Sequence, residues 1–326
     1  MDGLNLRRGR TLSDFPTPIV VLSQCLEKEA CRYNGQVIKD DFVRELEPHV
    51  RYVPTCPEVE IGLGVPRDPI RIVRIGESPR LVQPSTGRDL TSDMLAFSER
   101  FLGSVGAVDG FILKNRSPSC GIKDVKIHLD QPGPPVGTGP GIFAGAVLER
   151  FPGRAIEDEG RLRNPHIRDH FLTRLFTLAA FRELRAEPAM RRLVEFHARN
   201  KLLFMAHNQT GMRALGVMVA NEERKPLEEI LDEYEAGIGR VLARPARAGP
   251  WINVAQHAFG FFSHALSPNE KTFFDNLLLR FRAERLPLSA VLGVLAGWTA
   301  RFDEPWLETQ SFFEPYPHAL MRLDHR

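Results

Sequence analysis

The chain has 326 residues, 43% of them hydrophobic and 26% charged, with a formal net charge of +2 at pH 7. This length holds two domains of ordinary size, and the balanced charge and apolar content exclude both an intrinsically disordered polymer and a bulk polycation. No uninterrupted apolar run approaches the ~18–20 residues needed to cross a bilayer, the nearest candidate being 286–300, so a membrane protein is excluded.

The amino terminus carries Arg7, Arg8 and Arg10 followed by Thr11, Leu12, Ser13 and Asp14, without the apolar stretch of a secretory signal. Residues 1–16 are expected to form a flexible leader, and the protein is expected to be cytoplasmic. From 18 to 150, short β-branched runs at 18–22, 50–53, 70–73 and 110–113 alternate with helix-like segments at 39–47 and 92–102. Thr91 or Ser92 is the expected cap of the second helix. This alternation predicts an α/β domain over residues 17–185, Rossmann-like, with a mostly parallel sheet.

The Gly/Pro-rich stretch 131–141 is too dense in breakers for regular structure and precedes a helix at 142–149. Its glycines suggest a phosphate cradle. That reading is not favoured, because the Lys–Ser/Thr of a phosphate-binding loop is absent and no G-x-G-x-x-G follows a strand. From Asn164 the period becomes helical, with Phe171, Leu175, Phe176 and Leu178 on one stripe. Further helices are expected at 189–205, 210–220, 226–243, 251–266, 269–284 and 288–298. An all-α domain is therefore predicted over 186–326, with the boundary at Arg185-Ala-Glu-Pro188.

All four cysteines, Cys25, Cys31, Cys56 and Cys120, fall in the α/β half. In a cytosolic chain such a cluster points first to metal binding or catalysis rather than disulfides. Cys25, Cys56 and Cys120 each follow an expected strand by a few residues. In an open parallel sheet the strand C-termini share one edge, where ligands bind, so these three thiols are expected to converge. Three thiolates suit either zinc with an open position or an iron–sulfur cluster with one uncapped iron. The absence of closely spaced C-x₂₋₄-C knuckles disfavours structural zinc, whereas a 4Fe-4S cube can be gripped from distant loops. Cys31 reads as a buried apolar cysteine.

Glu58, two residues after Cys56, is the candidate general acid/base, with Glu60 as its rival. The turn Arg116-Ser117-Pro118-Ser119-Cys120-Gly121 offers the hydroxyls of Ser117 and Ser119 for orienting substrate or water.

These blocks resemble the DUF523 family, which includes the thiouracil desulfidases. The resemblance rests on Ser23-Gln-Cys25-Leu26 with Arg32-Tyr33-Asn34-Gly35, on Cys56-Pro-Glu58 with Gly62-Leu63 and Pro66-Arg67-Asp-Pro69, and on Lys114 through Gly121. It extends through Gly141-Ile-Phe-Ala144 and Glu157-Asp-Glu-Gly-Arg-Leu162. The second half is similar to the DUF1722, or YbgA-like, domain. There the carriers are Asn200-Lys201, Met205-Ala-His207, Leu215-Gly216, His257-Ala-Phe-Gly260, Glu270-Lys271, Pro287-Leu288 and Pro315-Tyr-Pro317. The fusion resembles the longer desulfidases linked to 4-thiouracil and to 4-thiouridine in tRNA.

The resemblance implies a 4Fe-4S cluster held by Cys25, Cys56 and Cys120 with one iron open, Cys31 as a non-ligand, and Glu58 with Ser117 or Ser119 as catalytic residues. It further implies non-redox replacement of a thiocarbonyl sulfur by oxygen, the sulfur passing to the cluster and leaving as hydrogen sulfide. The substrate would be a thiolated uracil base or nucleoside, or tRNA reached through the helical domain. Two departures from the family pattern stand out: Lys28 replaces a glycine and Asn34 an aspartate, which puts the loop carrying Cys25 in question.

A competing reading is an RNA-binding protein with a structural iron–sulfur or zinc site. Arg191, Arg192, Arg199, Lys201 and Arg213 would follow the backbone, with Phe196 and Phe204 stacking on bases. Against it, Glu228, Glu229, Asp232 and Glu233 nearly cancel that charge. His197, His207, His257 and His264 lack the paired Glu-x-x-His of a di-iron bundle, and His207 and His257 are expected to support packing or contact RNA. Oligomeric state is not legible.

Overall fold

The structure, a computed structural model, describes residues 15–131 and 133–321. The expected leader lies outside the described residues except for its last two, and Phe15 packs edge-on against Phe176 with ring centroids 6.1 Å apart. The chain divides into two units, one running to Arg182 and taking in the residues from Pro317, the other Glu183–Tyr316.

The first unit runs β1 (Ile19–Ser23), α1 (Asp41–Leu46), β2 (Arg51–Thr55), α2 (Pro57–Glu60), β3 (Arg71–Ile75), β4 (Ser78–Gln83), β5 (Arg88–Asp89) and α3 (Thr91–Ser104). It continues with β6 (Gly110–Leu113), β7 (Val125–Leu129), β8 (Gly137–Gly139), α4 (Ile142–Arg150) and β9 (Ala155–Asp158), then enters the long helix α5 (Pro165–Ala186). Strands β2-β1-β6-β9 form a four-stranded sheet in that order, and every pairing in it is parallel. Strand β1, buried at every residue, and the fully buried β6 are the two inner strands. Their near-continuous apolar runs are what a sheet covered on both faces requires. Gly110 lets β6 approach β9 closely, since a Cβ there would stand 2.7 Å from the Ala155 carbonyl oxygen.

The expected strand at 70–73 exists but does not join the parallel sheet. As β3 it enters a second sheet, β5-β4-β3-β7-β8, which is antiparallel except for the β3–β7 pair. The breaker-rich loop also departs from expectation. Its residues 137–139 lie between Pro135 and Pro140 and carry no proline of their own, so their N–H groups remain available and β8 pairs with β7 at the sheet edge. Leu90, not Thr91 or Ser92, is the cap of α3. The Thr91 hydroxyl is already committed to the backbone N–H of Leu81 at 2.8 Å, and Asp89 accepts from Thr91 N at 2.9 Å.

One apolar core joins both sheets with α3 and α4, through Val21, Ile72, Leu81, Met94, Phe111 and Phe143 among others. Phe97, Phe101 and Phe143 form an aromatic cluster with centroids 5.5–5.9 Å apart.

The second unit contains α6 (Met190–His207), α7 (Gln209–Ala220), α8 (Leu227–Val241), α9 (Ala248–Gly260), α10 (Pro268–Arg282), α11 (Leu288–Phe302) and the short α12 (Pro305–Glu308). Asn208 caps α7 through Gly211 N at 2.9 Å, and Ser267 with Glu270 forms a capping box on α10. No described helix is long and apolar enough to cross a membrane.

Candidate active site

The C-terminal ends of β2, β1, β6 and β9 share one edge of the parallel sheet, and the chain places its chemistry there. Ser23 ends β1 and its Oγ accepts from Lys114 N, just past β6, at 2.9 Å. Cys25 and Cys56 follow β1 and β2 directly, and Cys120 ends the turn after β6; all three are buried, as is Cys31. The structure thus gathers the thiols pairwise. Cys31 hydrogen-bonds with both Cys25 and Cys56, and Cys120 lies within electrostatic reach of Cys56. Among the described residues no three His, Cys, Asp or Glu side chains form a group for a single metal ion.

Three of these thiols, Cys31, Cys56 and Cys120, hold their protons. The hydrogen bond with Cys25 leads the causes that push Cys31 up to about 11. Cys56 is raised well beyond the ordinary cysteine range, first by its hydrogen bond with Cys31 and then by burial. Cys120 is raised chiefly by burial, against the hydrogen bond from Ser23. Becoming thiolates therefore requires a cation, and metal binding supplies one while displacing the protons.

Glu58 sits on α2 with its side chain 13% exposed, whereas Glu60 is exposed. Glu58 Oε1 accepts from Ser119 Oγ at 3.1 Å and from Ser117 Oγ at 3.3 Å. Its other oxygen, Oε2, accepts from Arg67 Nε at 2.9 Å and Nη2 at 2.7 Å. Ser117 Oγ also accepts from Ser119 N and Cys120 N, both at 3.2 Å, which locks the turn. Ser119 is fully buried and Ser117 half-buried. A Cβ at Gly141 would stand 2.5 Å from the Ser119 carbonyl oxygen, so only glycine allows α4 to approach this turn. The N–H groups of Gly141, Ile142 and Ala144 donate to the carbonyls of Gly121, Pro118 and Ser119 at 2.7–3.1 Å. The start of α4 is thereby spent on the serine turn, which removes the phosphate-cradle reading.

The two departures from the family pattern each have local partners. Lys28 pairs with Glu47 and lies over the Tyr52 ring. The left-handed backbone next to it belongs to Glu27, at φ 62°. Asn34 donates from Nδ2 to the Gln36 side chain at 2.8 Å and steadies the turn through Gly35.

In the sequence Arg67 and Ser23 stand out only as parts of motifs, and Cys31 reads as a buried apolar cysteine. The motif Pro66-Arg67-Asp-Pro69 was the one available signal for Arg67, and nothing in it shows that the side chain is buried against Glu58.

The helical unit carries fewer of its expected features. Phe196 and Phe204 are buried in its core and cannot stack on bases. Arg191 pairs with Glu195 and Arg192 with Glu187. His197 Nδ1 bonds Tyr234 Oη at 2.9 Å, and His207 Nδ1 bonds the Leu203 carbonyl at 3.0 Å. His257 and His264 are exposed.

An Escherichia coli K12 protein described as uncharacterized protein YbgA is 29% identical over 154 residues, covering 47% of this chain and 91% of the relative. Uncharacterized protein YbbK of Bacillus subtilis 168 is 30% identical over 111 residues, covering 32% of this chain and 73% of the relative. Among solved structures, the 4Fe-4S-dependent thiouracil desulfidase TudS is 30% identical and covers 45% of this chain and 94% of its own, with a TM-score of 0.36. The model of the DUF1722 family, of unknown function, matches residues 201–317. The 2-thiouracil desulfurase model matches residues 20–159, the segment that holds all four cysteines and Glu58, and the chain belongs to that family, with a DUF1722 domain following.

Proposed function

We propose that the protein is an iron–sulfur-dependent desulfidase that replaces the thiocarbonyl sulfur of a thiolated uracil with oxygen and releases hydrogen sulfide, with no net redox change. The observation that carries this reading is the carboxylate of Glu58, held on one oxygen by Arg67 and bonded on the other by Ser117 and Ser119, at the same strand edge as the buried thiols. Family membership supplies the class of substrate, and the donor set fits the cofactor in kind: soft, buried, unpaired sulfurs.

Cys25, Cys56 and Cys120 would hold a 4Fe-4S cluster. Such a cluster, when bound, supplies a soft Lewis acid for the thiocarbonyl sulfur. Glu58 Oε1 takes a proton from the water that attacks the C=S carbon and returns it to the departing sulfur. Ser117, the more exposed of the two hydroxyls, orients that water or the ring, while Ser119 holds Glu58 from the buried side. One water enters and one hydrogen sulfide leaves for each C=S converted to C=O, so atoms and electrons balance.

The test is anaerobic reconstitution followed by loss of thiocarbonyl absorbance from 4-thiouracil and, separately, from tRNA containing 4-thiouridine. Cluster-dependent loss supports the reading, and the faster substrate shows whether the base alone or the thiolated RNA is the natural one. A loaded protein that leaves both untouched, or an apo protein that works as well, overturns it.

A further inference from the structure

We infer that Arg67 is the positioning residue of this site: it assigns the two oxygens of Glu58 different tasks and ties that carboxylate to the loops that carry the thiols. The inference rests on the proposed desulfidase reading and extends it from the carboxylate to the residue that orients it.

The guanidinium side chain is 4% exposed, and every one of its donors is spoken for. Arginine presents five N–H groups in a rigid planar fork. Here Nε and Nη2 donate to Glu58 Oε2, at 2.9 and 2.7 Å. Nη1 donates to the main-chain carbonyls of Cys31 at 3.0 Å and Gly64 at 2.9 Å. The remaining direction of Nη2 faces Cys56 Sγ at 4.0 Å. The backbone of Arg67 is itself anchored, its N–H donating to the Tyr33 carbonyl at 2.8 Å.

Two consequences follow. With two hydrogen bonds on Oε2, rotating the Glu58 carboxylate breaks both, so proton transfer is confined to Oε1, the atom that faces Ser117 and Ser119. In addition, the same fork pins the Cys31 loop, the start of α2 and the Gly64 turn to one another. Lysine would keep the charge but has neither the planar fork nor enough donors for these acceptors, so it is not a conservative replacement.

The test is a double-mutant cycle on the reconstituted holoenzyme, with Arg67→Ala, Arg67→Lys, Glu58→Gln and the Arg67→Ala/Glu58→Gln pair. Iron and sulfide content per chain is measured beside kcat and KM. We expect both Arg67 variants to retain iron and sulfide at the wild-type level. Each should lose roughly 10²-fold in kcat with KM changed by less than about threefold, as for an interaction used in the chemical step. Arg67→Ala should cost almost nothing further once Glu58 is already Gln. Equal losses in both backgrounds would overturn the inference, as would rescue by lysine. Loss of iron and sulfide in both Arg67 variants would overturn it too, leaving Arg67 a structural clamp. Full activity in Glu58→Gln alone would instead sink the underlying acid–base reading, so the two failures are distinct.

Discussion

The two units handle their interior polar groups in opposite ways. At the strand edge of the first unit the buried groups are charged or ionisable and converge: Glu58 with Arg67, four thiols, and nearby Lys114 paired with Glu159 at 2.6 Å. In the helical unit the buried polar network is neutral. Ser311 Oγ donates to Asn200 Oδ1 at 2.6 Å, Gln310 Nε2 donates to the Ala198 carbonyl at 2.8 Å, and Tyr234 meets His197. A satisfied neutral network fixes packing. A concentration of buried charge costs desolvation and is characteristic of sites that do chemistry. On the proposed function the reaction belongs to the first unit, and any contribution of the second is to be sought at its surface.

The largest test of this division removes a thiol. Cys56→Ser and Cys120→Ser are expected to leave the protein without iron and sulfide and its turnover at background, with the helical unit still folded by circular dichroism. A variant that keeps a full cluster would break the assignment of that residue. Next in size, Glu58→Gln should lower kcat by ~10²–10⁴ with cluster content unchanged; a loss confined to KM would make Glu58 a binding group instead.

Tyr234→Phe sharpens the comparison from the other side. It strands the His197 nitrogen and should cost ~1–3 kcal/mol in urea unfolding while leaving kcat and iron content untouched. If turnover falls and stability does not, chemistry extends into the helical unit.

The smallest effect is one of pH. Burial, helped by the charge of Lys201, lowers the His197 pKa below its usual value. The unfolded chain therefore takes up the proton first. Stability linked to this residue is complete above about pH 6.5, the ordinary histidine value, and is lost as pH falls through the lower folded value. Urea midpoints of the apo protein at pH 7.5 and 5.5 should differ less in His197→Gln than in the wild type.

Much of this molecule is legible from local pattern. The apolar runs at 18–22 and 110–113 correspond to the buried β1 and β6, and the amphipathic stretches between 189 and 298 correspond to helices α6 to α11. Local pattern was less informative where partners were chosen. The run at 70–73 has strand character whichever sheet receives it, and only the pairing of β3 with β4 and β7 places it in the second sheet. Residues 137–139 read as a breaker tract until β7 offers an edge.

The site divides along the same line. The positions of Cys25, Cys56 and Cys120 after strand ends, and of Glu58 beside Cys56, are sequence properties, because parallel strands bring their C-termini to a common edge whatever the loops do. The contact of Cys31 with two other thiols, and the fork by which Arg67 holds Glu58 with two donors and turns the rest to Cys31, Gly64 and Cys56, were decided by tertiary structure alone. Hydrophobic period reports which face of a strand or helix is buried. It carries no information about where an irregular loop such as 61–67 turns its side chains, and that course is set by packing against residues distant in the chain.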